Sequence, residues 1–170
     1  SQDGKLGIIL DSSATFNSPR AIQILDNGKI LMVGTAGTQQ YLIRLMPNGD
    51  ADASVGQAGV LKIKRPLPNE AVIISDFSLH VLPNGKILTF FRQKYNGLNA
   101  TIQVLNRFQS NGQADLSFGS GGRVVVDSVA TTSIGSFDNV RLALLAGNKM
   151  LLVGDSVVQA APSAIFHAKL

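Results

Sequence analysis

The chain of 170 residues is 45% hydrophobic and 15% charged, a composition that can bury a core and excludes an intrinsically disordered protein. Its formal net charge of +4 is scattered and forms no basic run interleaved with aromatic residues, which argues against nucleic-acid binding. There is no cysteine, so disulfides, thiolate metal sites and cysteine nucleophiles are excluded within the chain, and no apolar run is long enough to span a membrane.

A short stretch that occurs three times organises the sequence. It spans residues 25–34, 82–91 and 145–154, and in each copy a turn precedes an apolar run. The first two copies contain the dipeptide Asn-Gly, and the third has Gly-Asn instead. Asn-Gly between apolar stretches predicts a hairpin with a type I′ turn, because that turn needs positive φ at both central residues.

The first strands are predicted from the alternation of apolar and polar residues. Residues 4–12 open as a strand, 20–25 alternate, 29–34 are apolar on both faces, and 41–45 form a fourth strand. A strand that is apolar on both faces belongs inside a stack of sheets. Helical periodicity is nowhere sustained, so no helix is predicted.

A second signature follows these strands. Residues 48–59 align without a gap on residues 111–122, and seven of the twelve positions are identical at a constant offset of 63. A strand is predicted to begin after each copy, at residues 60–64 and 124–127. The two signatures together indicate an internal repeat.

The repeat divides the chain into three modules of one domain, at approximately 4–58, 59–121 and 122–170. Each module is predicted to be a four-stranded antiparallel meander, which is the architecture of a β-propeller blade. The predicted fold is therefore all-β, with three blade-like modules that form part of a β-propeller. A β-trefoil, which also has three four-stranded units and closes alone, is the alternative.

The motifs resemble the delta-60 repeat family. They are L-x-x-G-K-I-L at residues 25–31 and 82–88, and R-[LF]-x-x-N-G-x-A-D-x-S-[FV]-G at residues 44–56 and 107–119. The resemblance implies β-propeller-like blades and a bacterial protein that is secreted or at the cell surface, and the family has no agreed catalytic residues to transfer to this chain. Module one departs from the family at Val55, where a phenylalanine is usual, and module three ends before its second signature.

The residue types of enzyme sites are sparse. His80 and His167 are the only histidines, and neither lies in the spacing of a zinc site. Both are interpreted as strand residues that face a neighbour or solvent. The sequence therefore predicts that the chain is not an enzyme, with a propeller-type hydrolase or lyase as the least favoured alternative.

The second signature contains a weak calcium candidate. Asn48, Asp50 and Asp52 place oxygen ligands at alternate positions, like the start of an EF-hand loop, but the glycine at the sixth position and the glutamate at the twelfth are missing. The favoured interpretation is turn chemistry, in which Asp52 and its counterpart Asp115 accept hydrogen bonds from backbone amides of the next turn. Metal and cofactor sites are accordingly not expected.

The lysines that follow the turns of the first signature also recur. Lys29, Lys86 and Lys149 occupy equivalent positions in the three copies. A hairpin lysine usually lies in solvent, where its charge discourages pairing with other strands. We therefore expect these three side chains to be solvated edge charges.

The most promising ligand-binding segment is the loop of residues 94–99. Tyr95, Asn96 and Asn99 supply an aromatic ring and two amides suited to a sugar or peptide, and binding residues are frequent on loops that a rigid scaffold carries. The alternative is an ordinary long hairpin loop.

Three blades are too few for a closed propeller, which typically has four to eight. We therefore expect either self-association with a second copy, to give six blades, or further blades in a longer parent chain, and Ser1 at the start favours a processed or excised chain. The predicted function is a secreted or cell-surface scaffold that mediates protein or glycan interaction. A purely structural or assembly repeat is the alternative.

Overall fold

The computed structural model describes residues 17–64, 72–95, 101–127, 137–145, 149–156 and 165–168. In these ranges the chain is all-β, as predicted, and contains no helix. Its eleven described strands form three separate antiparallel sheets of four, four and three strands, none of which closes into a barrel. The strand predicted at residues 4–12 lies outside the described residues.

The first sheet has the order β1-β2-β3-β4, so every strand pairs with its neighbour in the chain. Its strands are β1 (Asn17–Ile24), β2 (Ile30–Ala36), β3 (Gln39–Leu45) and β4 (Val60–Ile63). The second sheet repeats this order with β5 (Val72–Val81), β6 (Ile87–Tyr95), β7 (Thr101–Phe108) and β8 (Arg123–Asp127). The third sheet pairs β9 (Phe137–Leu145), β10 (Lys149–Ser156) and β11 (Ile165–Ala168) in the same manner.

The hairpin turn differs from the type I′ turn that the sequence predicts. Gly28 has a φ of 77°, but Asn27 is not among the described residues with positive φ. The amide of Gly28 donates to the carbonyl of Leu25 at 2.8 Å, and the side chain of Asn27 accepts from the amide of Lys29 at 3.1 Å. This is the pattern of a three-residue loop that ends in a left-handed glycine, so only the glycine needs positive φ.

The sheets also divide the chain differently from the sequence modules. Those modules place residues 60–64 at the start of the second unit, whereas β4 pairs with β3 and completes the first sheet. The physical reason is the loop between β3 and β4, which turns back on β3. The amide of Arg44 donates to the carbonyl of Gly59 at 2.8 Å, and the amide of Asp52 donates to the carbonyl of Arg44 at 2.9 Å.

The three sheets stack through apolar faces. One face of the first sheet packs against the second sheet in a cluster of Leu31, Val33, Leu42, Ile63, Leu79, Ile87 and Phe108. The opposite face of the second sheet packs against the third in a cluster of Leu88, Phe90, Leu105, Phe118, Leu142 and Met150. Burial of each large apolar side chain contributes about 1.5–3 kcal/mol, so these two seams supply much of the stability.

The first strands of the sheets lie next to one another. β1 packs against β5, and β5 packs against β9. The chain therefore repeats the same step from sheet to sheet, with the first strand on one side of the stack and β4 or β8 on the other.

Two glycines have the same φ but differ in the space around them. Comparing their alanine variants tests the close backbone approach in the loop before β4. Gly37 and Gly56 both have a φ of 55°, but a Cβ at Gly37 would meet no atom within 4 Å, whereas one at Gly56 would overlap the carbonyl of Val60. We expect Gly37→Ala to lower the free energy of unfolding by about 1 kcal/mol and Gly56→Ala by at least about 2 kcal/mol more, measured by urea unfolding. Equal losses would contradict the close approach at Gly56.

Candidate functional site

A buried carboxylate in the loop between β3 and β4 forms ion pairs with two basic side chains. Nζ of Lys29 and Nε of Arg44 lie 2.8 and 2.7 Å from Oδ2 of Asp52, whose side chain is 6% exposed. The hydroxyl and amide of Ser54 donate to Oδ1 at 2.6 and 3.1 Å. Arg44 also donates through Nη2 to the hydroxyl of Ser54 at 2.8 Å. Both carboxylate oxygens therefore have partners.

The second sheet contains the same arrangement. Nζ of Lys86 and Nε of Arg107 lie 2.8 and 2.6 Å from Oδ2 of Asp115. The hydroxyl of Ser117 donates to Oδ1 at 2.7 Å, and here Gln109 adds a further hydrogen bond at 3.1 Å. The two groups are called the Asp52 cluster and the Asp115 cluster.

The pKa of the aspartate is lowered in both clusters. The Lys29 ammonium and the Ser54 hydroxyl, followed by the Ser54 amide and the Arg44 guanidinium, hold the pKa of Asp52 well below its usual range, against the opposing effect of burial. Lys86 has the largest effect at Asp115, whose pKa is lowered in the same way. Both groups are therefore carboxylates at neutral pH, with no poised proton to transfer.

The clusters correct one prediction and confirm another. The interpretation of Lys29 and Lys86 as solvated edge charges is wrong, because each pairs with a buried carboxylate and its side chain is only 25% exposed. The prediction that Asp52 and Asp115 accept from backbone amides of the next turn is confirmed. The signal in the sequence that could have predicted these ion pairs is the recurrence of Lys, Arg, Asp and Ser at equivalent positions of both modules. The side chain of Lys149 lies outside the described residues.

The three residues of the calcium candidate belong to two separate sets of hydrogen bonds. Asn48 accepts from the amide of Asp50 at 3.1 Å and donates to the Asp50 carboxylate at 2.8 Å, and both side chains belong to an exposed turn. Asp52 instead points to Lys29 and Arg44, which a divalent cation would have to displace. Over the described ranges, no three His, Cys, Asp or Glu side chains come together in a group that could hold a metal.

Arginines join the first and second sheets at the side where β4 lies. Nη1 of Arg44 donates to the carbonyl of Ser110, and Nη2 of Arg123 donates to the carbonyl of Lys64. Val55 is fully buried, and a Cβ at Gly112 would lie 3.0 Å from its side chain. The smaller residue at Val55 thus packs closely against the turn of the next sheet.

An open groove of about 470 Å³ lies along this seam. It is lined by Ser54, Gly56, Leu61, Lys62, Lys64, Phe108, Asn111, Gly112, Gln113 and Ala114. The two lysines are exposed, and neither forms an ion pair with a described residue. The lining combines lysine, amide and aromatic residues, and no signal in the sequence brings these residues together.

The histidines and the predicted ligand loop lie elsewhere. His80 is on β5, where burial lowers its pKa and a hydrogen bond with the backbone of Leu142 partly offsets the effect. His167 is on β11, and its side chain lies outside the described residues. Tyr95 ends β6, but its side chain and the loop with Asn96 and Asn99 also lie outside them, so that site stays a prediction.

Comparisons of the chain with protein-family models, curated proteins and solved structures each found no match. In the described ranges no helix has the length and hydrophobicity needed to cross a membrane. The repeated geometry and the sequence pattern are therefore the basis for a functional proposal.

Replacing Asp52 with asparagine keeps the shape of the side chain but removes the charge that pairs with two cations. We expect the free energy of unfolding at neutral pH to fall by about 1.5–3 kcal/mol, the range for hydrogen bonds to a charged group. Urea unfolding followed by circular dichroism measures the loss, because the chain has no tryptophan. The control is Asp26→Asn at an exposed turn residue, which should cost less than about 0.5 kcal/mol. An equal loss in both variants would argue against the cluster.

Lowering the pH should reduce the contribution of the two clusters to the free energy of unfolding. Because the pKa of Asp52 and of Asp115 is lower in the folded chain than the unfolded value of about 3.9, their stabilising effect is complete above about pH 4. It is lost as pH falls further, so the urea midpoint should drop between about pH 4 and pH 2. The drop should be shallower in Asp52→Asn, and identical pH profiles would refute the assignment.

Proposed function

We propose that the chain is a non-enzymatic repeat scaffold of the propeller type, in which successive sheets act as blades. Two sheets with the same strand order, stacked in the same sense, support this proposal. The contacts from β1 to β5 and from β5 to β9 also support it, because the first strands of propeller blades surround a central axis. Membership of the delta-60 repeat family, and with it a secreted or surface location in bacteria, is part of the proposal and rests on the motifs alone.

The proposed biochemical role is to bind an acidic glycan, and the groove between the first two sheets carries this proposal. Lys62 and Lys64 belong to the lining and are exposed, and we propose that their ammonium groups meet carboxylate or sulfate groups of the glycan at the rim of the groove. Asn111 and Gln113 add amides that pair with hydroxyls, and Phe108 lines the same groove. Such a groove between rigid sheets needs no reaction centre, which agrees with a binding protein.

The second candidate is a purely structural or assembly repeat. The Asp52 and Asp115 clusters and the arginine links through Arg44 and Arg123 favour it, because these polar groups hold neighbouring units together. A propeller-type hydrolase or lyase is the third candidate and has the least support. A variant that loses ligand binding but keeps its fold would favour the binding scaffold over the purely structural repeat.

Charge removal in the groove tests the glycan proposal. Polygalacturonate and heparin are the probes, with binding measured by biolayer interferometry at low salt. We expect Lys62→Gln to weaken binding about threefold to fivefold, as for loss of one exposed ion pair, and added salt to weaken it further. The control is Arg20→Gln, which removes the same charge at an exposed position on β1, the opposite edge of the sheet. No binding, or equal weakening in both variants, would refute the proposal.

The loop predicted from the sequence is tested separately. If Tyr95 forms a sugar or peptide site, Tyr95→Ala should abolish at least one hit on a glycan or peptide array, because the aromatic face is lost. The control is Lys62→Gln, which should leave that hit unchanged. An array on which every hit survives Tyr95→Ala would remove this site.

A further inference from the structure

We propose that Arg44 and Arg123 are positioning residues of the groove between the first two sheets, where they hold its two walls at the separation that the ligand binds. The inference deepens the proposed glycan binding and rests on it. Neither arginine is among the residues that line the groove. Each side chain starts on one sheet and ends on a backbone carbonyl of the other, so the two links cross the seam in opposite directions.

Arg44 reaches from the first sheet to the second. Its guanidinium is anchored in its own sheet, with Nε 2.7 Å from Oδ2 of the buried Asp52. From this position Nη1 donates to the carbonyl of Ser110, and Nη2 donates to the hydroxyl of Ser54 at 2.8 Å. Ser54 lines the groove on the side of the first sheet, and Ser110 directly precedes Asn111, which lines it on the other side. One guanidinium therefore contacts one wall and the residue next to the opposite wall.

Arg123 reaches from the second sheet to the first. Its Nε donates at 2.9 Å to Oδ1 of Asn106, a residue that is only 2% exposed. Asn106 donates in turn to the hydroxyl of Thr89 at 3.4 Å, which ties this anchor to the neighbouring strand β6. Nη2 of Arg123 donates to the carbonyl of Lys64, which lines the groove. Both arginines thus combine a buried anchor in one sheet with a carbonyl at or beside the groove wall of the other.

The shape of the guanidinium is what allows one side chain to make several bonds. Its N–H groups form a fixed planar fork, so Nε and the two Nη groups donate in different directions at once. An ammonium is a single point of charge, so Arg44→Lys keeps the charge beside Asp52 but loses the link to Ser110. Walls that already have the bound separation cost less free energy to order when a ligand binds. Loss of a link should therefore weaken glycan binding even though no lining residue has changed.

Arg107 provides a matched control. It is the counterpart of Arg44 at the offset of 63 residues and forms the same ion pair with Asp115. Its other described partners are the hydroxyl of Ser117 and the ring of Phe118, which both belong to the loop between β7 and β8. Arg107→Lys therefore removes the equivalent guanidinium contacts but keeps both links between the first and second sheets.

Binding of polygalacturonate and heparin, measured by biolayer interferometry, tests the effect on the groove. Arg44→Lys should weaken binding about twofold to tenfold, as for the loss of one hydrogen bond, whereas Arg107→Lys should leave it unchanged. Circular dichroism checks that each variant is folded. If Arg44→Lys does not fold, Arg123→Lys takes its place, because it leaves the Asp52 cluster intact and should weaken binding to the same degree.

A distance measurement tests the positioning role without any glycan. The chain has no native cysteine, so Asp26→Cys combined with Pro83→Cys places two nitroxide labels at equivalent exposed positions, in the turns before β2 and β6. Neither position lines the groove. Pulsed electron paramagnetic resonance should show that Arg44→Lys shifts or broadens the distribution of distances between the two sheets. Arg107→Lys should leave this distribution unchanged.

The two measurements separate the positioning role from the proposed function. A distance distribution that Arg44→Lys does not change would overturn the positioning role, and so would equal weakening of binding by Arg44→Lys and Arg107→Lys. Absence of polysaccharide binding in the chain without substitutions would refute the glycan proposal instead. The label distances would then still decide whether the arginines set the separation of the sheets.

Discussion

A carboxylate withdrawn from water needs cations beside it, and this requirement shapes each of the first two sheets. Asp52 lies in a loop that has no regular structure of its own, yet its side chain is buried. An unpaired charge in that position would be strongly unfavourable. Lys29 immediately precedes β2 and Arg44 lies on β3, so the ion pairs connect the loop to the hairpin turn and to a strand at once. The repetition at Asp115 indicates that the requirement belongs to the unit and not to one location.

The same loop decides which strand completes the sheet. Because the backbone near Asp52 is hydrogen-bonded to Arg44, the chain returns along β3 and β4 pairs there. Arg44 then uses its remaining donors for Ser54 and for the turn of the next sheet. One arginine therefore connects the carboxylate, the loop and the neighbouring unit. The first and second sheets share no backbone ladder, so this arginine is one of the polar groups that join them.

Apolar contacts and polar links have different roles at the seam. The cluster around Leu31 and Leu79 supplies area removed from water, which is strong but has no preferred direction. The arginine links at Ser110 and Lys64 have defined geometry and lie at the same seam as the groove. The groove thus lies between two units whose relative position is set by directional bonds. The shape of the groove therefore depends on how the two sheets are joined.

The sequence alone determined the all-β class, the hairpins and the repeat, because period-two alternation and glycine-containing turns are local properties of a strand. It also indicated that Asp52 accepts from the next turn, since Ser54 is only two residues away. Tertiary structure decided the partners of Lys29, because the carboxylate that binds it is 23 positions distant and reaches it only when the loop folds back. It likewise decided that β4 joins β3 and that Lys62 and Asn111 share a groove. These contacts depend on how separate segments meet, and periodicity carries no information about such distances.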